Sequence, residues 1–371
     1  MRALNWTSPI TTRPGAVAAG GPDEGVAAHY GRPHHEQRDL AASQAVVDLS
    51  HLGVVRVSGS DRLTWLHNIT SQFLSNLAPG QSTEMLVLDP NGRIEHAAAV
   101  LDDGEATWLI TETGGAGPLL DYLDSMRFAM RVEAGVESGL AVLGTSAAGP
   151  EPAGAVLTWL DPWPGDGAGS TRYGPELSEH PGAQWQAALH LVPRDELSEH
   201  LDHTLAHGAT LAGVWAWEAL RVARWRPRYA LDVDERAIPH ELDWLRTAVH
   251  LEKGCYRGQE TVARVFNMGR PPRRVVMLHL DGSEHTTPAE GAAVISGERQ
   301  VGRLTSVVRH YELGPIALAL VKRSVDPAAP LVVDGIAAAQ EVIASTEGFG
   351  TGRPPPEQRP KVNPALRRSG R

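Results

Sequence analysis

Lys253-Gly254-Cys255-Tyr256-Arg257-Gly258-Gln259-Glu260 is the stretch on which the reading of this chain turns. It carries the single cysteine of 371 residues. A lysine stands two positions before that cysteine, an arginine two positions after it, and Gly254 and Gly258 bracket it. Glycine lets the main chain adopt angles that other residues resist and approach a ligand closely. Neighbouring cations favour a thiolate over a thiol. Two readings follow for Cys255: a reactive thiol on a glycine-flexed loop, or a cysteine packed in a tight turn. For Lys253 the alternatives are a partner of that thiol and a contact to an anionic ligand.

Working outward, the run Thr261 to Val265 reads as regular structure, and residues 226–252 as a long loop too extended to be idle in a compact domain. Upstream of that loop, Val214 to Trp225 reads as a helix dense in Trp, Ala and Leu. Glu218 and Arg221 share one of its faces, where a surface ion pair would explain them. Downstream, Arg273 to Leu280 opens a series of short strands with turns at Asp281-Gly282, Gly291, Gly297 and Asp334-Gly335, the pattern of a small β-barrel or sandwich.

Further upstream, Gly53 to Val57, Glu84 to Leu88, Arg93 to Leu101 and Ala106 to Thr111 read as strands. Asp89-Pro90-Asn91-Gly92 is a hairpin turn. Ser60 offers a helix cap, and Leu63, Leu66, Ile69, Phe73 and Leu77 recur at helical steps. Pro118 to Met126 is read as a helix and Ala129 to Glu133 as a strand. Gly139 to Gly144, Ala155 to Leu160 and Ala187 to Val192 are read as strands, and a helix follows Pro193. The Pro/Gly-rich insert Asp161 to Gly174 is expected to be a mobile surface loop. Mixed strands with helices give an α+β fold class.

Composition bounds the function. The hydrophobic fraction of 42% and charged fraction of 21% suit a globular protein with a real core. The net charge of −10 argues against a general nucleic-acid binder. One cysteine excludes an intramolecular disulfide and any cluster held by this chain's thiolates alone. No apolar run approaches a membrane span and no secretory signal opens the chain, so a cytoplasmic location without membrane attachment is expected. His200, His203 and His207 share a predicted helix face, but they lack acidic or cysteine companions and no metal site is assigned.

The octapeptide resembles the K-G-C-Y-x-G-Q-E signature of the YgfZ-type folate-binding proteins, relatives of an iron–sulfur assembly factor within the glycine-cleavage T-protein superfamily. The resemblance extends to Trp217-Glu218-Ala219-Leu220-Arg221, to Asp232, Asp234, Ile238-Pro239 and Glu241, to Val57-Ser58-Gly59-Ser60-Asp61, to Asp89 through Ile94, and to Val301 through Ser306. It covers roughly residues 40–345. It implies two T-protein-like α+β modules and a C-terminal barrel around a central cavity. The corresponding boundaries are an arm over 1–39, modules over 40–150 and 151–271, a barrel over 272–347 and a disordered tail over 348–371.

The resemblance also implies tetrahydrofolate as cofactor, held by Trp217, Arg221, Glu241, Tyr256, Gly254, Gly258, Gln259, Glu260 and Arg264, with Cys255 and Lys253 carrying the chemistry. Iron–sulfur client enzymes or assembly proteins are the implied partners. The carboxylates Asp232, Asp234, Glu235 and Asp243 read as lining the folate cavity or as solvated charges. Arg257, Arg264, Arg270, Arg273 and Arg274 read as a local basic patch or as scattered surface charges. Against the T-protein pattern G-G-I-x-D-D the chain has Gly92-Arg93-Ile94-Glu95-His96-Ala97, without the aspartates. The G-E-D-G segment of T-proteins has no counterpart before residue 190. The function expected is folate binding in the service of iron–sulfur enzymes, with folate-dependent aminomethyl transfer as the alternative.

Overall fold

A computed structural model describes residues 6–283 and 286–358. Two five-stranded sheets and one closed barrel carry the chain. The first sheet runs Ser82–Leu88, Ile94–Asp102, Ala106–Thr111, Gly53–Ser58, Glu133–Val136, antiparallel throughout. Its strands exist because β-branched and apolar side chains fill both faces, as at Val54, Val55 and Val57. The register at the first hairpin slips by one residue between Val87 and Leu88, next to the Asp89–Gly92 turn.

The second sheet runs Leu157–Leu160, Ala187–Pro193, Leu140–Ser146, Ala45–Asp48, Thr210–Ala212, and only its last pair is parallel. Ala45–Asp48 and Leu140–Ser146 therefore sit beside strands from beyond residue 150. Sheet membership does not follow the boundary expected there. Sequence order cannot show this, because the exchange depends on long-range pairing.

Six strands from Arg273–Leu280 to Ile336–Val342 close into the barrel expected of the C-terminal segment. Val276, Leu278, Leu304, Ala319 and Val333 fill its interior. The mixed α/β class with a small barrel is as expected.

Several segments depart from expectation. The helix Arg62–Ile69 stops well before Leu77. Past it, Ser71 links a strand to a short helix: its Oγ accepts from Leu86 N in Ser82–Leu88 and donates to Ala248 O at the end of Leu245–Ala248. The helix after Pro193 begins only at Leu197, because Pro193 closes the preceding strand. The insert 161–174 is packed rather than mobile at the surface: Trp163 is 5% and Tyr173 3% exposed. Its aromatic side chains outweigh its glycines and prolines, since burying each one removes a large apolar area from water. The arm is also part of the body. Ser8 Oγ donates to Asp48 at 2.5 Å, and Gln37 Nε2 to Arg309 O at 2.9 Å. At the C-terminus, Thr171 Oγ1 donates to Thr351 O at 2.7 Å and Arg270 lies 4.4 Å over the Phe349 ring. The tail expected from 348 is thus packed at least to Thr351, and residues 359–371 lie outside those described. Among the described residues no helix is long and apolar enough to cross a membrane.

Candidate functional site

The helix Val214–Ala223 buries Val214, Ala216, Ala219, Leu220 and Val222. That leaves Trp217, Glu218 and Arg221 to line a central cavity. Strand residues from both sheets complete it: Ala97, Ala98, Ala99, Ile110 and Thr111 from one, with Glu112 just past its end, and Trp159, Ala187 and Leu189 from the other. The cavity encloses about 170 Å³ and opens to solvent. Aromatic walls come from Trp159, Trp163, Trp185, Trp217 and Trp244. The rings of Trp185 and Trp217 meet edge-on with centroids 5.8 Å apart. Gly144 makes room for Trp217, since a Cβ there would lie 2.8 Å from its Cζ3.

The polar lining is an arginine–carboxylate network. Arg221 Nε donates to both oxygens of Glu218 at 3.0 Å, Nη1 to Asp232 at 2.9 Å and Nη2 to Ser306 Oγ at 2.7 Å. Arg228 holds Glu112 at 2.9 Å, Asp23 at 2.8 Å and Glu218 at 3.2 Å. Arg226 holds Glu84 at 2.7 Å and Asp161 at 3.0 Å. Burial, with Glu84 adding to it, pushes the Asp161 carboxyl up to about 6 against the pull of Arg226. Each of these ions is paired, as buried charge requires.

Arg224 differs. It stacks 4.1 Å over Trp185 and donates to Leu220 O at 2.9 Å, and burial pushes it down to about 10. Among the described ion pairs it has no carboxylate. His51 is 6% exposed and lines the same cavity. Its Nε2 lies 3.1 Å from Asp23 Oδ1, and its Nδ1 has no partner among the described residues.

The octapeptide lies elsewhere. Lys253 Nζ donates to the carbonyls of His67, Thr70 and Gln72, and sits 5.0 Å from the Tyr256 ring centroid. Burial pushes its ammonium down to about 7. The three carbonyl acceptors act in the opposite sense and favour the charged form. Tyr256 is 8% exposed beneath it. Gly258 has φ +86°, and a Cβ there would meet Asp89 O at 2.6 Å. This glycine brings the chain against the first hairpin and starts the helix Gln259–Met268. Gln259 Nε2 returns to Lys253 O at 3.1 Å. Gly254, Cys255, Glu260 and Arg264 are exposed.

Of the expected folate contacts, the structure brings Trp217 and Arg221 to the cavity and leaves the others out. Arg221 is saturated by protein partners. Glu241 is fully buried, but under Arg273, which holds it at 2.7 Å. Asp232 and Asp243 are likewise tied into protein contacts, to Arg221 and Arg246. The cations flanking Cys255 turn away from it, Lys253 to its carbonyls and Arg257 to Glu95 at 2.7 Å. The basic patch also breaks up, because Arg273 pairs with Asp234 and Glu241 and Arg274 is fully buried. Among the described residues no cluster of side chains suited to a metal occurs.

His51, Arg224 and Arg228 escaped the sequence reading. One signal was available: Arg221, Arg224, Arg226 and Arg228 crowd a tryptophan-rich segment of an acidic chain.

No family model matches the chain. A chloroplastic protein of Arabidopsis thaliana, assigned by name to the transferases, is 29% identical over 73% of this chain, which spans 65% of that relative's length. The aminomethyltransferase of Rippkaea orientalis is 26% identical over 78% of this chain and 81% of its own. The tRNA-modifying protein YgfZ of Aliivibrio fischeri is 30% identical over 37% of this chain and 43% of its own. The crystal structure of the glycine-cleavage aminomethyltransferase T of Bartonella henselae superposes with a TM-score of 0.71, covering 90% of this chain and 94% of that one at 17% identity. The relatives are glycine-cleavage T-protein-like, and the similarity to YgfZ is confined to part of the chain.

Proposed function

We propose that the central cavity binds tetrahydrofolate and that the protein assists assembly or repair of iron–sulfur enzymes rather than releasing aminomethyl groups. The residues fit such a ligand. Trp185 and Trp217 offer walls for a flat ring, and the buried Nε1 of Trp185 and Nδ1 of His51 have no partner among the described residues. Arg224, without a carboxylate, suits an anionic tail. When bound, tetrahydrofolate supplies ring nitrogens able to carry a one-carbon unit.

The observation that carries the choice of function is the wall Ala97, Ala98 and Ala99. The T-protein pattern sets acids at His96 and Ala97, and this chain presents no carboxylate there. Nearby Glu95 is bound to Arg257. Proton transfer to a bound ligand therefore lacks the acid that the T-protein pattern places at this wall. The service to iron–sulfur enzymes rests on the likeness of the octapeptide to the YgfZ signature and on the exposed thiol of Cys255. A single thiolate cannot hold a cluster, so any sulfur or iron chemistry there is shared with a partner.

Aminomethyl transfer is the second reading. It is favoured by the extent of similarity to aminomethyltransferases and by Asp161, a cavity carboxyl able to hold a proton near neutral pH. Two assays separate the readings. Titration with tetrahydrofolate should quench tryptophan fluorescence saturably, and absence of quenching removes the folate site. Incubation with an aminomethyl-lipoyl donor and tetrahydrofolate should yield no appreciable methylenetetrahydrofolate; rapid formation restores the transferase.

A further inference from the structure

We propose that His51, oriented by Asp23, is a ligand-binding residue whose Nδ1 accepts a hydrogen bond from a ring or amino N–H of the molecule in the central cavity. The inference rests on the folate reading and assigns a polar contact within it.

The two ring nitrogens are not equivalent. Nε2 lies 3.1 Å from Asp23 Oδ1. That carboxylate also takes Arg228 Nη2 at 2.8 Å. It is held well below the usual carboxylate range by its bonds to His51 and Arg228, which outweigh burial. An ionised carboxylate accepts only, so the proton of a neutral imidazole sits on Nε2. Nδ1 is left with a lone pair. It is a buried atom without a partner among the described residues, on a side chain that lines the cavity. Such an atom costs free energy unless something donates to it. A reduced pterin offers several N–H donors, and a purely acceptor ligand would not satisfy it.

Asp23 reaches the cavity from the N-terminal arm, just before the hairpin partner Ala27–His29. The arm thereby orients a group on the body, which gives its ordered packing a use. Glu112 and Glu218 face the same region but are both taken by Arg228. Asp161, across the cavity, is taken by Arg226 at 3.0 Å.

Two readouts test the assignment. In a long-range proton–nitrogen spectrum of histidine-labelled protein, tetrahydrofolate should shift Nδ1 of His51 and leave Nε2 protonated. His51→Gln should bind tetrahydrofolate about tenfold more weakly, the scale of one buried hydrogen bond. If tetrahydrofolate quenches tryptophan in both proteins with equal affinity and Nδ1 stays unmoved, the inference is wrong and the folate reading stands. If wild type does not bind at all, both fall. Should His51→Gln fail to fold, the Nδ1 shift in wild type decides alone.

Discussion

The octapeptide and the central cavity divide the work in a way their sequences do not announce. The octapeptide is dense in distinctive residues, yet most of them tie the chain to itself. Lys253 is surrounded by three carbonyls, Gly258 fits against Asp89, and Gln259 returns to Lys253 O. Only Cys255 and its neighbour Gly254 remain exposed in its first half. The cavity draws on residues scattered over some two hundred positions, from Asp23 to Trp244, and has aromatic walls, unpartnered polar atoms and an arginine without a carboxylate. A short motif can therefore be a clamp that presents one thiol, while ligand recognition is assembled elsewhere.

Acid should loosen both regions and is the largest effect expected. His240, bonded to Val262 O under the octapeptide's helix, is pushed down to about 4 by burial. In the second sheet burial pushes His190 down to about 4, and beside Trp163 it pushes His180 down to about 3. Each stays neutral in the folded protein at a pH where the unfolded chain is protonated. Above pH ~6.5 they make no difference, and below it stability falls, by about 3 kcal/mol per histidine at pH 4. Urea midpoints measured from pH 7 to 4 check this. A flat profile would mean that these rings charge freely.

Lys253→Met separates the regions. It strands three carbonyls, one of them buried, and should cost about 2–4 kcal/mol in denaturant unfolding. Folded variant should still bind tetrahydrofolate with native affinity, and a large loss of affinity with intact stability would put Lys253 in the binding site. Trp217→Ala should do the reverse, weakening tetrahydrofolate by ~1–3 kcal/mol through loss of a ring wall. Unchanged affinity in a folded variant would remove Trp217 from the site. The smallest effect on folding belongs to Cys255→Ser, which should shift stability by no more than about 0.5 kcal/mol. It should nonetheless fail to restore iron–sulfur enzyme activity in cells lacking the native protein. Full complementation would return Cys255 to a passive loop position.

Much of the fold was legible because its signals are local. Gly53–Ser58, Ile94–Asp102 and the hairpin at Asp89–Gly92 follow from alternation and turn residues. The barrel followed from spaced strands and glycine turns. What failed depends on distant partners. The periodic run from Leu63 to Leu77 suggests one helix, but Lys253, nearly two hundred residues away, collects the carbonyls of His67, Thr70 and Gln72 where it ends. Trp163 and Tyr173 anchor an insert whose glycines and prolines suggested mobility. In the site, Trp217 was singled out through the family resemblance, and it does line the cavity. His51 was not, because its meaning depends on Asp23 in the arm and on Arg228 beyond the helix. Glu241 looked like a cavity acid and is instead the buried partner of Arg273.

The central claim is that ligand binding belongs to the cavity and not to the octapeptide's exposed face. Blocking that face while reading the cavity tests it most directly: tetrahydrofolate titrated into the wild-type protein, by tryptophan quenching, before and after alkylation of Cys255 with iodoacetamide. Because Cys255 is exposed and does not line the cavity, alkylation should go to completion in the folded protein and leave the dissociation constant within about twofold, well under 1 kcal/mol. Loss of binding on alkylation, with Trp217→Ala binding as well as wild type, would contradict the account and move the ligand to the octapeptide.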